Sequence, residues 1–191
     1  MSAVVGADGV RRCTWAYGPP EYIAYHDDEW GRAVRGDDAV FERMVLEAFQ
    51  SGLSWITILR KRAAFRAAFA NFSIDAVAQF TEADVERLMS DAGIVRNRAK
   101  INACIANARA ARELPEGLSA LIWSFAPKAR RKAPQLNADV PAVSTHSTAM
   151  AKELKRLGFR FIGPTTAYAH MQATGIVNDH LATCHARKLC P

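Results

Sequence analysis

Apolar residues recur along this chain at helical spacing, three and four apart, and nowhere at the strict alternation of a half-buried strand. Val40, Phe41, Met44, Val45 and Ala48 form one stripe, and Asp37 or Asp38 is placed to cap its start. Ser54 opens a second run that carries Ile58 and Phe65 and ends at about Phe69. Ser73 and Thr81 each open a short helix, and Thr81 and Asp84 have the spacing of a capping box, with Asp in place of Glu. Residues 98–113 are Ala-rich and amphipathic, with Ile101, Cys104, Ile105 and Ala108 on one face. Thr145 or Ser147 starts a helix that turns Met150, Leu154 and Leu157 inward and stops at Gly158. Only residues 159–162 read as briefly extended. The pattern predicts an all-α domain.

Size and charge narrow the classes. With 191 residues, half of them hydrophobic, the chain can build one well-packed core. No run of 18 apolar residues is present, which excludes a membrane-spanning helix. The net charge of +6 is compatible with a polyanionic partner. Its densest part is Pro127-Lys-Ala-Arg-Arg-Lys-Ala-Pro134, a proline-bounded basic segment whose plainest reading is a solvated loop. Residues 1–8 lack the basic and apolar regions of a secretion signal, so a reduced, cytoplasmic monomer is expected.

Four residues near the two ends form a matched set of metal ligands: Cys13 and His26, His180 and Cys184. Two thiolates and two imidazoles suit a tetrahedral structural zinc, with no position left for water. Spacing alone leaves this open. Pairs so far apart are a weaker signal than a double CxxC, and His185 and Cys190 are alternative ligands at the same end.

Two further features carry chemistry. The segment from Gly158 to Thr166 joins two helices: Gly158 stops the first, and Pro164 suits the first position of the second. The free N–H groups at Gly163, Thr165 and Thr166 can hold a phosphate oxygen, as a helix-hairpin-helix does; an ordinary interhelical turn has the same look. Aromatics crowd Trp15, Tyr22, Tyr25, Trp30 and Trp55, either as core or as walls for a planar base. Glu47 lies on the edge of the first apolar stripe. It is either a surface partner of Arg43, four residues before, or a buried acid that recognises a ligand.

Together these stretches resemble the bacterial DNA-3-methyladenine glycosylase I family over nearly the whole chain. The resemblance rests on Cys13-x-Trp15, Tyr22-Ile-Ala-Tyr-His-Asp-Asp-Glu-Trp-Gly31, Leu46-Glu-Ala-Phe-Gln-Ser-Gly-Leu-Ser-Trp55, Asp91-Ala-Gly-Ile-Val-Arg96, the segment from Lys155 through Thr166, and Val177-Asn-Asp-His180. It implies a helix-hairpin-helix DNA glycosylase fold, with zinc on Cys13, His26, His180 and Cys184 joining the N- and C-terminal segments. It also implies a base pocket built from Glu47, Trp15, Tyr25 and Trp55, with Tyr22 close by. About nine residues precede the family's usual start, so residues 1–12 are expected to lack fixed structure and 13–191 to form one zinc-stapled domain.

The implied activity is hydrolysis of the bond between 3-methyladenine and deoxyribose in double-stranded DNA, releasing the free base and leaving an abasic site. Water is the co-substrate. Glu47 favours the charged base, and Asn178 or Asp179 faces the sugar. The competing reading is a non-catalytic zinc-stabilised DNA-binding module. It accounts for hairpin, charge and zinc, but has no use for a buried acid among aromatics. A zinc hydrolase or base deaminase is excluded by the lack of HExxH and of H-x-E with C-x-x-C.

Overall fold

The computed structural model describes residues 2–129 and 132–190. A two-stranded antiparallel hairpin, β1 (Val4–Val5) and β2 (Arg11–Arg12), leads into α1 (Pro20–Asp28). There follow α2 (Asp37–Gln50), α3 (Trp55–Ala68), α4 (Ile74–Ala78), α5 (Glu82–Ser90), α6 (Arg98–Arg112), α7 (Gly117–Ser124), α8 (Thr145–Arg156) and α9 (Pro164–Ala173). The protein is mostly helical, as its periodicity predicts. The expectation for residues 1–12 does not hold for the hairpin. Buried Arg12 pairs with Asp27 at 2.8 Å and the Tyr17 hydroxyl donates to the Val10 carbonyl at 2.7 Å, which ties the segment to the domain.

The core surrounds α2. Val40, Phe41, Met44, Val45, Leu46 and Phe49 are all buried, and Phe49 meets Phe65 edge-on at 4.8 Å. Asp37 and Asp38 do not cap this helix. Gly36 stands at its N-cap, while Asp37 accepts from the Ser119 N–H at 2.8 Å and Asp38 from the Ile74 N–H at 2.9 Å. Each carboxylate therefore serves the first turn of another helix, α7 and α4. At the far end, buried Lys100 donates to the carbonyls of Phe49 and Ser51 at 2.9 and 2.6 Å. Helix α2 is thus anchored at both ends by charges exchanged with its neighbours.

The Thr81–Asp84 box forms as its spacing predicts, whereas the cap of α8 lies one residue ahead of the expected Thr145. The Thr81 N–H donates to Asp84 at 2.9 Å, and Ser144 rather than Thr145 caps α8, with Ser147 as its reciprocal partner. Between α3 and α4, three consecutive non-glycine residues are left-handed: Ala70, Asn71 and Phe72, with φ of 51°, 53° and 57°. Such a conformation costs roughly 1–2 kcal/mol per residue. Fully buried Phe72 stacks on Phe69, 5.7 Å between centroids, which offsets part of it.

Candidate functional site

Trp15, Tyr25, Trp30, Glu47, Gln50 and Trp55 wall a cavity of about 240 Å³, closed on one side by Ala169 and Gln172 of α9. That is smaller than the roughly 300–1,000 Å³ of drug-sized sites and suits a single planar base. Helix α1 supplies Tyr25, α2 supplies Glu47 and Gln50, and α3 opens with Trp55. Trp15 stands on the 3-10 turn Thr14–Ala16, with its ring 5.0 Å from Trp30 and nearly perpendicular to it.

Glu47 is buried and has no hydrogen-bond or ion-pair partner among the described residues. Burial pushes its carboxyl up to about 7, against the nearby charge of Arg43. Arg43 itself turns to Glu29 at 2.8 Å, and Glu29 takes two further hydrogen bonds from Arg62 at 2.6 and 2.7 Å. Glu29 loses solvation on burial, but these hydrogen bonds prevail and hold it at about 2. His170, buried beside Ala169 on α9, is pushed down to about 3 by burial and by Arg43, and so stays neutral. Burial likewise raises the Tyr25 hydroxyl. At neutral pH the pocket therefore holds one titrating carboxyl among neutral walls, with its natural cationic partner engaged elsewhere.

Tyr22 does not line the cavity. It meets Trp15 edge-on at 6.0 Å, and its hydroxyl accepts the Ile56 N–H at 3.0 Å, so it props Trp15 and caps α3. Trp30 belongs to the aromatic cluster visible in sequence, but its place in the wall does not follow from spacing. Gln50 follows Glu47 by three, a helical neighbour. Gln172 and Ala169 left no sequence signal, because their position depends on how α9 packs on α2.

An adjoining cavity shares Trp15, Trp30 and Gln172 with the first and extends to Asn137, Val140 and Asp179. Of the two candidates for the sugar side, Asp179 borders this space, where it accepts from the Tyr168 hydroxyl and from Gln172 at 3.0 Å. Asn178 instead donates to the carbonyls of Arg187 and Cys190 at 3.0 and 3.3 Å.

Cys13, His26, His180 and Cys184 are all buried, and their ligand atoms lie within 4.8 Å of one another. His26 Nδ1 is 2.7 Å from Asp27 Oδ1, and its Nε2 lies 3.4 Å from Cys184 Sγ. His180 Nε2 is 3.0 Å from the Trp30 carbonyl, and its Nδ1 lies 3.8 and 3.6 Å from Cys13 and Cys184 Sγ. Since a carboxylate and a carbonyl only accept, each ring donates outward and turns its lone pair on the thiols. All four cysteines are unpaired.

The turn between α8 and α9 begins with a Schellman motif: Gly158 at φ 91°, its N–H on Lys155 O and the Phe159 N–H on Leu154 O. It is not extended. Phe161 is left-handed at φ 60° and exposed. Buried Asn107 of α6 clamps Arg160, accepting its N–H at 2.7 Å and donating to its carbonyl at 3.1 Å. Gly163 caps α9 with an ordinary φ of −80°, and a Cβ there would meet nothing within 4 Å. Thr165 is exposed and Thr166 half-buried. Of the basic segment 127–134, Lys128 and Lys132 are exposed, and Arg130 and Arg131 lie outside the described residues.

An open-mouthed aromatic pocket with one carboxylate, on a helical domain, suits an enzyme that takes a single base out of DNA. Residues 15–188 match the methyladenine glycosylase family, and the chain belongs to it. The chain is 44% identical over 183 residues to DNA-3-methyladenine glycosylase 1 of Escherichia coli (strain K12), covering 92% of this chain and 96% of that protein. A crystal structure of 3-methyladenine DNA glycosylase I superposes with a TM-score of 0.87 at 42% identity, over 91% of this chain and 98% of the other. The Staphylococcus aureus enzyme, described in terms of 3-methyladenine recognition, superposes with a TM-score of 0.87 at 33% identity, over 92% and 96%.

Proposed function

We propose that this enzyme excises 3-methyladenine from double-stranded DNA as a monofunctional glycosylase, leaving an abasic site. The observation that carries the proposal is Glu47, a buried carboxylate without a partner in an aromatic pocket the size of one base. Methylation at N3 gives the purine positive charge and makes it a good leaving group, so modest catalytic help suffices. Ionised Glu47 accepts hydrogen bonds from the base and favours its charge, while Trp15 or Trp55 stacks on it. A desolvated cation–π contact contributes up to about 2 kcal/mol, which an unmodified adenine does not obtain. Flipping costs a few kcal/mol and is easiest for a damaged pair. Asp179, at the edge of the adjoining cavity, is read as the group that steadies charge developing on the sugar.

Cys13, His26, His180 and Cys184 fit a structural zinc. With Zn–S of about 2.3 Å and Zn–N of about 2.0–2.1 Å, a tetrahedral site sets S and N roughly 3.6 Å apart, and the separations of 3.4, 3.6 and 3.8 Å match it. When bound, the ion staples the two ends of the chain. The turn from Gly158 to Thr166 is read as the helix-hairpin-helix element, gripping one DNA strand through the N–H groups of Gly163, Thr165 and Thr166 without reading sequence. The protein acts as a cytoplasmic monomer.

The test is release of free 3-methyladenine from methylated DNA, measured for the native protein and for Glu47→Gln. The proposal requires release by the native protein and a large loss in the variant. DNA binding without base release would favour the non-catalytic module.

A further inference from the structure

Around the cysteine and histidine cluster lies a second ring of charge. We propose that Asp27 is the positioning residue of the metal centre, that it fixes His26 in the tautomer that presents Nε2 to the metal, and that Arg12 of the N-terminal hairpin and His185 of the C-terminal segment hold Asp27 in place. The inference rests on the zinc reading above and goes beyond it, because none of these three residues is a ligand in that reading.

The geometry converges on one carboxylate. Arg12 Nε approaches Asp27 Oδ1 and Oδ2 at 3.0 and 2.9 Å, and its Nη2 reaches Oδ2 at 2.8 Å. His26 Nδ1 and His185 Nε2 meet Oδ1 at 2.7 and 2.8 Å. Asp27 is therefore oriented by groups from three places in the chain: a strand near residue 12, the helix it stands on, and the 3-10 turn His185–Leu189. His26 is fully buried and its ring has one free edge. With Nδ1 donating to Asp27, only the Nε2 lone pair is left for a metal, and it points at Cys184. A ligating histidine whose second nitrogen is held by a carboxylate is both oriented and more basic.

The hairpin gives Arg12 its place. Val4 pairs with Arg12 and Val5 with Arg11 in antiparallel register. The Tyr17 hydroxyl donates to the Val10 carbonyl at 2.7 Å, and Gly6 packs so close to the Tyr17 ring that a Cβ there would lie 2.6 Å from its hydroxyl. Asp8 completes the clasp with a 2.8 Å ion pair to Arg12. Residues ahead of the first cysteine thus carry the outer wall of the metal centre, and their deletion should be felt there.

The experiment is metal release. Zinc-loaded native protein and Asp27→Asn are mixed with a chromophoric chelator well below their melting temperatures. Release should be at least tenfold faster from Asp27→Asn, within the tenfold to hundredfold range that outer partners of metal ligands typically control. Arg12→Gln and His185→Phe, which leave the Asp27–His26 contact in place, should each speed release severalfold, and together approach Asp27→Asn. Arg12→Gln also keeps the test alive if Asp27→Asn does not fold. Cobalt(II) in place of zinc gives a readout that general loosening does not move: its visible absorption should shift in Asp27→Asn and not in Arg60→Gln, which breaks the exposed Arg60–Glu21 pair of the same region. Release rates and cobalt spectra indistinguishable from native would overturn the role of Asp27. Native protein that folds without holding zinc would instead remove the metal reading, and this inference with it.

Discussion

Arg43 and Glu47 stand one helical turn apart on α2, and they do not pair: Arg43 reaches back to Glu29 at 2.8 Å and leaves Glu47 alone in the pocket. Spacing by four along a helix ordinarily brings such a couple together. Here a second arginine, Arg62, joins the first on Glu29 and fixes it there. The carboxyl that lines the cavity is kept unneutralised by a triad just outside it.

Replacing Glu47 should uncouple stability from recognition. Its carboxyl is raised from the ordinary 4.5 to about 7, so the folded chain holds that proton more tightly than the unfolded chain. The resulting stabilisation is complete below about pH 4.5 and is lost as pH rises through 7, an effect of roughly 3 kcal/mol. Glu47→Gln should therefore match the native protein near pH 4.5 and exceed its stability at pH 8, by about 1–3 kcal/mol in urea melts. Affinity for free 3-methyladenine should fall about tenfold or more, the worth of a charge-assisted hydrogen bond. Parallel melts at both pH values would show that Glu47 is not raised.

Glu29 touches no base and should still matter to binding. Glu29→Gln releases Arg43, which can then swing to Glu47 and neutralise it. Base affinity should drop severalfold and stability by about 2 kcal/mol, less than the 3–5 kcal/mol of a fully buried pair because Glu29 is partly exposed. Adding Arg43→Met should restore much of the affinity. Calorimetric titration of the single and double variants measures this coupling; additive losses would argue against it.

Gly163 offers a clean test of the turn. Its φ of −80° suits any residue and a Cβ there meets open space. Gly163→Ala should thus change stability by less than about 1 kcal/mol. Any loss of DNA affinity must then arise on the DNA side, and it should be about the same for duplexes of any sequence, since backbone contacts carry no sequence information. Unchanged affinity would make this an ordinary interhelical joint.

Cys184→Ala should lower metal content and stability together. A cross-link spanning Cys13 to Cys184 constrains a loop well over 100 residues long, which in the chain-entropy description is worth about 5 kcal/mol. Elemental analysis and thermal melts of both proteins check the two effects. Variant protein that retains a full equivalent of zinc would move the site to other ligands, with His185, which clusters with His26 and Asp27, the first candidate.

Most of the helices were legible because they carry their own period and punctuation, as with the Val40-to-Ala48 stripe or the Thr81–Asp84 box; α1 and α7 were not read from the sequence. The four members of the cysteine and histidine cluster were legible as residue types, and the family resemblance grouped them. What could not be read depends on tertiary placement. Asp37 and Asp38 look like caps of their own helix, yet each serves another, because Gly36 takes the N-cap and packing brings α4 and α7 within reach. Tyr22 and Tyr25 lie three apart in one motif, yet only Tyr25 enters the wall. Nothing before Cys13 predicts structure, since the strands are two residues long and exist through Arg12 and Tyr17. The left-handed run at 70–72 carries no glycine to announce it.

Apart from α9, which closes one side, the pocket draws its walls from two parts of the chain. Glu47, Gln50 and Trp55 come from α2 and α3, whereas Trp15 follows Cys13 by two residues and Trp30 offers its carbonyl to His180. Anything that tightens the cysteine and histidine cluster therefore also sets how firmly two of the aromatic walls stand. Reciprocity follows as a matter of thermodynamics: if metal occupancy strengthens base binding by some factor, a bound base must strengthen metal binding by the same factor. An enzyme resting on its product would then be the form most resistant to metal loss.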